Sequence, residues 1–313
     1  MKSVNRLSSQ REPFYKRKNF QLYTFLLFAI VPSFAAYAIF ALYPNILSVY
    51  YSFLDWDGLK EKVFVGWQNY IDLVHDPFIG RALWHNLIMV VTVIPLTLLI
   101  ALFLSDLLVN RNFRENGFYK VVYFLPNVLS GVVISLMWMF VYDGTFGLIN
   151  SILGTFGLPA DTNWLGNPKT ALGCIIAMTV WCNVGFYVVI FSNAMRAIPQ
   201  SLYESAKLEG ITQFQRLRKI TIPLMAGTIR IAMIYMAIGT IQGYGNIMIM
   251  TQGGPAGATD VIGLYMFNFA FGKLNLGSKN YGYASAIGML IFVVLVVVKL
   301  LVDKLSKNES YEY

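Results

Sequence analysis

The chain has 313 residues, of which 57% are hydrophobic and only 13% charged, with a mean hydropathy of +0.57. A soluble domain of this length carries roughly a quarter charged residues, so an ordinary water-soluble globule is excluded and much of the surface is expected to face lipid. The formal net charge of +8 forms no uninterrupted basic patch, which argues against a nucleic-acid partner and leaves membrane topology as its explanation.

Residues 1–19 form a basic tail, expected to lie disordered against anionic lipid. It leads into a very long apolar run without a small-residue cleavage site, so a first span is expected rather than a removed signal. A helix needs about 20 apolar residues to cross a hydrocarbon core of roughly 30 Å. Six charge-free windows have about that length: Asn19–Leu54, Ala82–Ser105, Val121–Tyr142, Thr170–Met195, Ile231–Thr259 and Asn280–Val298. Trimmed by hydropathy and flanking turns, they predict helices at 20–43, 86–108, 121–142, 170–194, 228–250 and 283–302. The expected fold class is all-α, a polytopic membrane protein with six transmembrane helices. The domains are tail 1–19, permease domain 20–303 and tail 304–313.

The connecting segments set the orientation. Of the 24 Lys and Arg, 18 fall in the N-terminal tail, the 105–120 loop (Arg111, Arg114, Lys120), the 195–230 loop (Arg196 to Arg230) and the C-terminal end (Lys299, Lys304, Lys307). The other side holds Lys60, Lys62, Arg81, Lys169, Lys273 and Lys279. Positive residues stay inside, so both termini are expected to be cytoplasmic, and an even helix count agrees.

Ionisable groups are scarce within the spans. Asp106, Asp143 and Lys299 fall near predicted ends, where side chains can snorkel, and His75 and His85 are read into one polar loop. Intramembrane charges mark ion and proton relays, so their scarcity argues against an ion-coupled carrier or channel. Cys174 and Cys182 are eight residues apart on one helix, about 12 Å, too far for a disulfide, and are read as inert thiols. Uncharged polar residues do occur in the spans: Asn127, Ser130, Asn183, Gln242, Tyr244 and Asn246. They suit a path for a neutral, hydroxyl-rich solute, or equally hydrogen bonds between helices. Gly239, Gly243 and Gly245 interrupt the fifth span, as discontinuous transporter helices do at binding sites, though close helix packing is an equal cause. Gln252-Gly253-Gly254-Pro255 reads as a turn at its outer end, either purely structural or near the docking surface of a binding protein.

The most informative stretch is Ala197–Met225. Pro199 ends the preceding span. Ser201 with Glu204 reads as a capping box opening a short helix over 202–209, and Gly210 supplies a left-handed stop. Thr212 with Gln215 reads as a second box, opening another helix before Pro223. An interfacial amphipathic helix and a protruding docking helix both fit. Ser205, Ala206 and Gly210 favour docking because small residues let a partner's groove approach, with Arg216, Arg218 and Lys219 holding the loop base at the membrane surface.

Glu204-Ser205-Ala206, Gly210, Ile220 and Pro223 resemble the EAA loop of binding-protein-dependent ABC importer permeases. The chain departs from that consensus mildly, at Ser205, Glu209, Ile211 and Leu217. Tyr43-Pro44, Ser52-Phe53, Asp55-Trp56, Val65-Gly66-Trp67-Gln68-Asn69-Tyr70 and Asp76-Pro77-Phe78 resemble the first-helix exit and outer loop of maltose-type sugar permeases. Leu125-Pro126, Gly147-Leu148-Ile149-Asn150, Thr251 to Pro255 and Tyr283-Ala284-Ser285-Ala286 fall in the same order. The resemblance implies a MetI-like core at about 82–302 with a coupling loop at 197–225. It implies that Tyr203, Glu204, Ser205, Ala206, Leu208, Glu209, Gly210 and Phe214 dock on an ATPase, and that a sugar passes Asn127, Ser130, Cys182, Asn183, Gln242, Tyr244 and Asn246. The implied partners are a second related permease, an ATP-binding-cassette ATPase dimer and an extracytoplasmic solute-binding protein. No G-x-x-x-x-G-K-[ST] phosphate loop is present, so ATP and Mg are expected on the ATPase and no cofactor or metal on this chain. An importer of glycerol phosphate or another polyol derivative is the near alternative. An integral membrane glycosyl- or phosphotransferase would need clustered Asp, Glu or His, and the nearest acidic cluster is Asp55, Asp57 and Glu61 in an outer loop.

Overall fold

The computed structural model describes residues 18–110, 115–272 and 279–305. The tail 1–17, Arg111, Arg114, Lys273 and residues 306–313, which carry part of the orientation signal, lie outside the described residues. Two compact units divide at Tyr51, and each is described by itself.

The described residues of the first unit, 18–51, are helical throughout. Helix α1 (Lys18–Tyr37) runs through a π-turn (Ala38–Leu42) into α2 (Tyr43–Tyr51), so the first apolar window continues past residue 43. Pro44 explains the widened turn: it has no N–H to give and its ring crowds the carbonyl four residues back. One extra residue per turn relieves that clash, and the Tyr43 N–H bonds to Ala38 O instead.

The second unit begins with a two-residue antiparallel ladder, β1 (Leu54–Asp55) on β2 (Val63–Phe64), followed by α3 (Gln68–His75). Asn69 fastens these together, its amide donating to the carbonyls of Ser52 at 2.9 Å and Leu54 at 2.8 Å. The apolar windows then form α4 (Pro77–Asn110), α5 (Asn116–Val128), α6 (Gly131–Val141), α8 (Ala171–Ala197), α12 (Ala226–Gln242), α13 (Gly245–Met250) and α15 (Tyr281–Leu305). Between them lie α7 (Leu148–Thr155), three short helices α9 (Gln200–Leu208), α10 (Gln213–Arg216) and α11 (Ile222–Leu224), and the apolar α14 (Ile262–Phe271).

Among the described residues four helices are long and apolar enough to cross a membrane, or up to six if each of two bent pairs is one span: α5 with α6, and α10 to α11 with α12 to α13, bent by 77° at Met225. The third window, expected as one helix over 121–142, breaks at Leu129 and Ser130, where α5 and α6 meet at 99°. Pro126 removes a helix donor there, and the Ser130 hydroxyl accepts the Val132 N–H at 3.3 Å as the N-cap of α6. The fifth, expected over 228–250, breaks at Gly243 and Tyr244. A Cβ on Gly243 would stand 2.6 Å from Gly239 O, so only glycine permits that turn.

Helix α4 packs along α8, and α5 crosses α8 where Gly185 meets the Tyr123 carbonyl so closely that no side chain fits between them. Small residues at such crossings let backbones approach, which is the main source of attraction between helices in lipid. Asp76 ties the opposite edge together: its carboxylate accepts from Tyr265 on α14 at 2.7 Å and Tyr283 on α15 at 2.9 Å, and from the Phe78 N–H at the start of α4.

Candidate functional site

Pro199 starts α9 in place of the expected Ser201 cap. Ser201 makes no cap bond, because the helix begins one residue before it, and Glu204 accepts from Gln200 Nε2 at 2.8 Å instead. Gly210 adopts φ +72°, with the Gly210 N–H on Lys207 O and the Ile211 N–H on Ala206 O at 3.2 Å each. These are the two bonds of a Schellman stop. The Thr212–Gln215 capping box is present in both directions. Pro223 again has a π-turn ahead of it, Leu217–Thr221, for the reason given at Pro44.

The elbow therefore projects Leu208, 91% exposed, and Phe214, 71% exposed. Glu204, Ser205, Glu209 and Gly210 are also exposed, while Tyr203 is half-buried. Ala206 corrects an expectation. It is 4% exposed and turned to the chain's own interior, so its small size serves packing within the protein. Arg216 is not a surface anchor either: its guanidinium lies 3.4 Å from the Asp106 carboxylate, with the two side chains 19% and 6% exposed. Asp106 does not snorkel, because that partner and the Gln213 amide, 2.7 Å from Oδ2, hold it inside. Asp143 lies in a turn, where the Thr145 hydroxyl and the amides of Thr145 and Phe146 bond its carboxylate and hold its pKa below the usual value. Lys299 pairs with Asp303 one turn along α15, at 3.3 Å.

A cavity of about 320 Å³ lies among α4, α8, α12 and α13, lined by Met89, Thr179, Cys182, Asn183, Tyr187, Tyr235, Thr240 and Asn246, with Gly239, Gly243 and Gly245. None of its lining residues is charged. Of the expected pathway residues it gathers Cys182, Asn183 and Asn246. Asn127 is not among its lining residues and donates to Cys182 O at 3.1 Å, and Asn246 accepts from Ser135 of α6 at 3.1 Å. Both thus make the interhelical bonds that were the alternative reading. Ser130 caps α6, Gln242 is exposed, and the Tyr244 ring packs on Phe267 at 5.3 Å, so these three do not line it.

Thr179, Tyr187, Tyr235 and Thr240 were missed. Thr179 and Asn183 stand four residues apart on one helix face, and that spacing was the available signal. The histidines are not in a loop: His75 ends α3, and His85 lies within α4, bonded to Asp260 O at 2.8 Å. Cys174 is buried and Cys182 partly so, both free. Among the described residues no three His, Cys, Asp or Glu side chains come together as metal ligands.

A broken-helix bundle around an uncharged cavity, with an elbow projecting from one end, defines a membrane transport component. The profile of the family described as binding-protein-dependent transport system inner membrane component matches residues 74–310, and the chain belongs to that family. A probable ABC transporter permease of Pyrococcus horikoshii is 31% identical over 88% of this chain and 93% of its own length. The diacetylchitobiose uptake system permease protein NgcF of Streptomyces coelicolor is 31% identical over 93% of this chain and 84% of its own. A bacterial ABC transporter involved in import of the acidic polysaccharide alginate has a chain that superposes with a TM-score of 0.75 at 22% identity, covering 94% of this chain and 97% of that one. The protein is a multi-pass importer permease of MetI-like fold, a transport subunit and not a catalyst.

Proposed function

We propose that this chain forms half of the translocation pathway for a neutral carbohydrate of oligosaccharide class, beside a second related permease. In this reading α9 and its elbow dock on an ATPase subunit, which holds ATP and Mg. The carrying observation is the cavity lining: amides, hydroxyls, aromatic rings and no ionised side chain. A sugar offers C–H faces to stack and hydroxyls to bond, and such polar groups on an otherwise apolar wall fix its orientation. A phosphate ester would instead call for Arg or Lys. The relative named for diacetylchitobiose supports a glycan cargo. The positive-inside bias supports cytoplasmic termini, with the permease domain at 20–303 between a basic N-terminal tail and a short C-terminal tail.

ATP closing the ATPase dimer supplies the differential affinity that drives the cycle, and an extracytoplasmic binding protein delivers solute to the outward-open form. Two experiments test this. In proteoliposomes holding the whole complex and its binding protein, neutral di- and trisaccharides should stimulate ATP hydrolysis and glycerol 3-phosphate should not; the reverse result selects the polyol ester. Gly210→Pro and Glu204→Lys should abolish co-purification of the ATPase, and unimpaired assembly would remove the docking assignment.

A further inference from the structure

Asp106 is a buried carboxylate near the end of a long apolar helix, and among the described residues all its side-chain partners but one come from α10, just past the Gly210 turn. Gln213, in the first turn of α10, donates Nε2 to Oδ2 at 2.7 Å, and Arg216 Nη2 lies 3.4 Å from Oδ1. The exception is Asn110 of α4 itself, which donates to the same Oδ1 and to the Asp106 carbonyl. Arg216 also lies over the ring of Tyr203, 5.3 Å to its centre, and the Tyr203 hydroxyl is 3.3 Å from that of Thr221. One anion therefore holds α10 against α4, and Arg216 and Tyr203 link α9 and the following π-turn to that grip.

From Asp106 the connection continues without a gap. The neighbouring Ser105 donates to Val188 O on α8 at 3.0 Å. Helix α4 itself continues, with Pro95 inside it, back to Met89 in the cavity wall, about 26 Å away at 1.5 Å per residue. A charge buried in an apolar helix is costly unless paired, and a hydrophobic residue would pack α4 to α8 equally well. A charge-assisted grip differs from apolar packing in holding one fixed register when the elbow is pushed.

We propose that Asp106, gripped by Arg216 and Gln213, is the positioning residue that conveys movement of the elbow into α4 and so into the cavity wall. This rests on the docking assignment above, and the experiment separates the two. Cys182 lines the cavity, so in a Cys174→Ala background its labelling by N-ethylmaleimide reports the cavity state without a known cargo. The complete complex in nanodiscs is labelled with and without Mg-ATP and vanadate, and ATPase co-purification and ATP hydrolysis are measured alongside.

The parent complex should show a nucleotide-dependent change in labelling rate. Asp106→Asn should keep co-purification and hydrolysis yet reduce that change by about tenfold, within the range seen for residues that carry coupling. The exchange Asp106→Arg with Arg216→Asp should restore it, since the Gln213 amide can accept as well as donate, and the exchange also covers a fold defect in the single variant. A labelling change in Asp106→Asn equal to the parent's overturns the proposal alone. Loss of ATPase co-purification in Asp106→Asn also overturns it, because the grip would then only shape the dock. An unchanged labelling rate in a parent that still co-purifies with the ATPase overturns the proposal and leaves the docking assignment standing, whereas no co-purification in the parent overturns both.

Discussion

The elbow between α8 and α12 and the cavity between α4, α8, α12 and α13 are built by different means. The elbow rests on bonds spanning three to five residues: the Gly210 stop with φ +72°, the Thr212–Gln215 box and the widened turn before Pro223. The cavity rests on contacts such as Asn127 with Cys182 and Asn246 with Ser135, which are 55 and 111 residues apart. Local chemistry fixes the shape of the part proposed to meet another protein. Tertiary packing fixes the shape of the proposed pathway.

That contrast can be broken most forcefully at the crossing that shapes the bundle. Gly185→Leu drives a side chain into the Tyr123 carbonyl and should destabilise by about 3 kcal/mol or more. Its measure is the loss of monodisperse protein on detergent extraction. Within the cavity, Asn183→Leu should lower uptake by the reconstituted complex about tenfold, the cost of a lost buried polar contact, whereas the exposed Gln242→Ala should change it by less than about twofold. Equal losses in the two would remove the cavity as the pathway.

The elbow offers the smaller, sharper tests. Thr212→Ala should cost about 1 kcal/mol of local stability, read as faster hydrogen exchange at the Gln213 to Gln215 amides. Ser201→Ala should cost less than about 0.5 kcal/mol, since Ser201 caps nothing. A larger effect from Ser201 than from Thr212 would reverse the order in which the two helix starts are held.

Both helix starts carried the same sequence signature, Ser or Thr followed three residues later by Glu or Gln, and one of them forms the box. The difference is Pro199, whose fixed φ starts α9 two residues early. Asp106 shows the same limit from another direction. Its position near a helix end suggested snorkelling, and its burial depends on Gln213 and Arg216, 107 and 110 residues further on.

The sequence by itself determined that this is a membrane protein with six apolar windows, and where the elbow turns. Transfer of a side chain into lipid and the φ of a glycine are properties of a residue and its near neighbours. Only the tertiary structure decided which polar residues share a cavity, where the third and fifth windows break, and that Asp106 and Arg216 face each other. Those outcomes depend on the rotation of each helix about its axis, which packing against distant segments sets and hydropathy does not record.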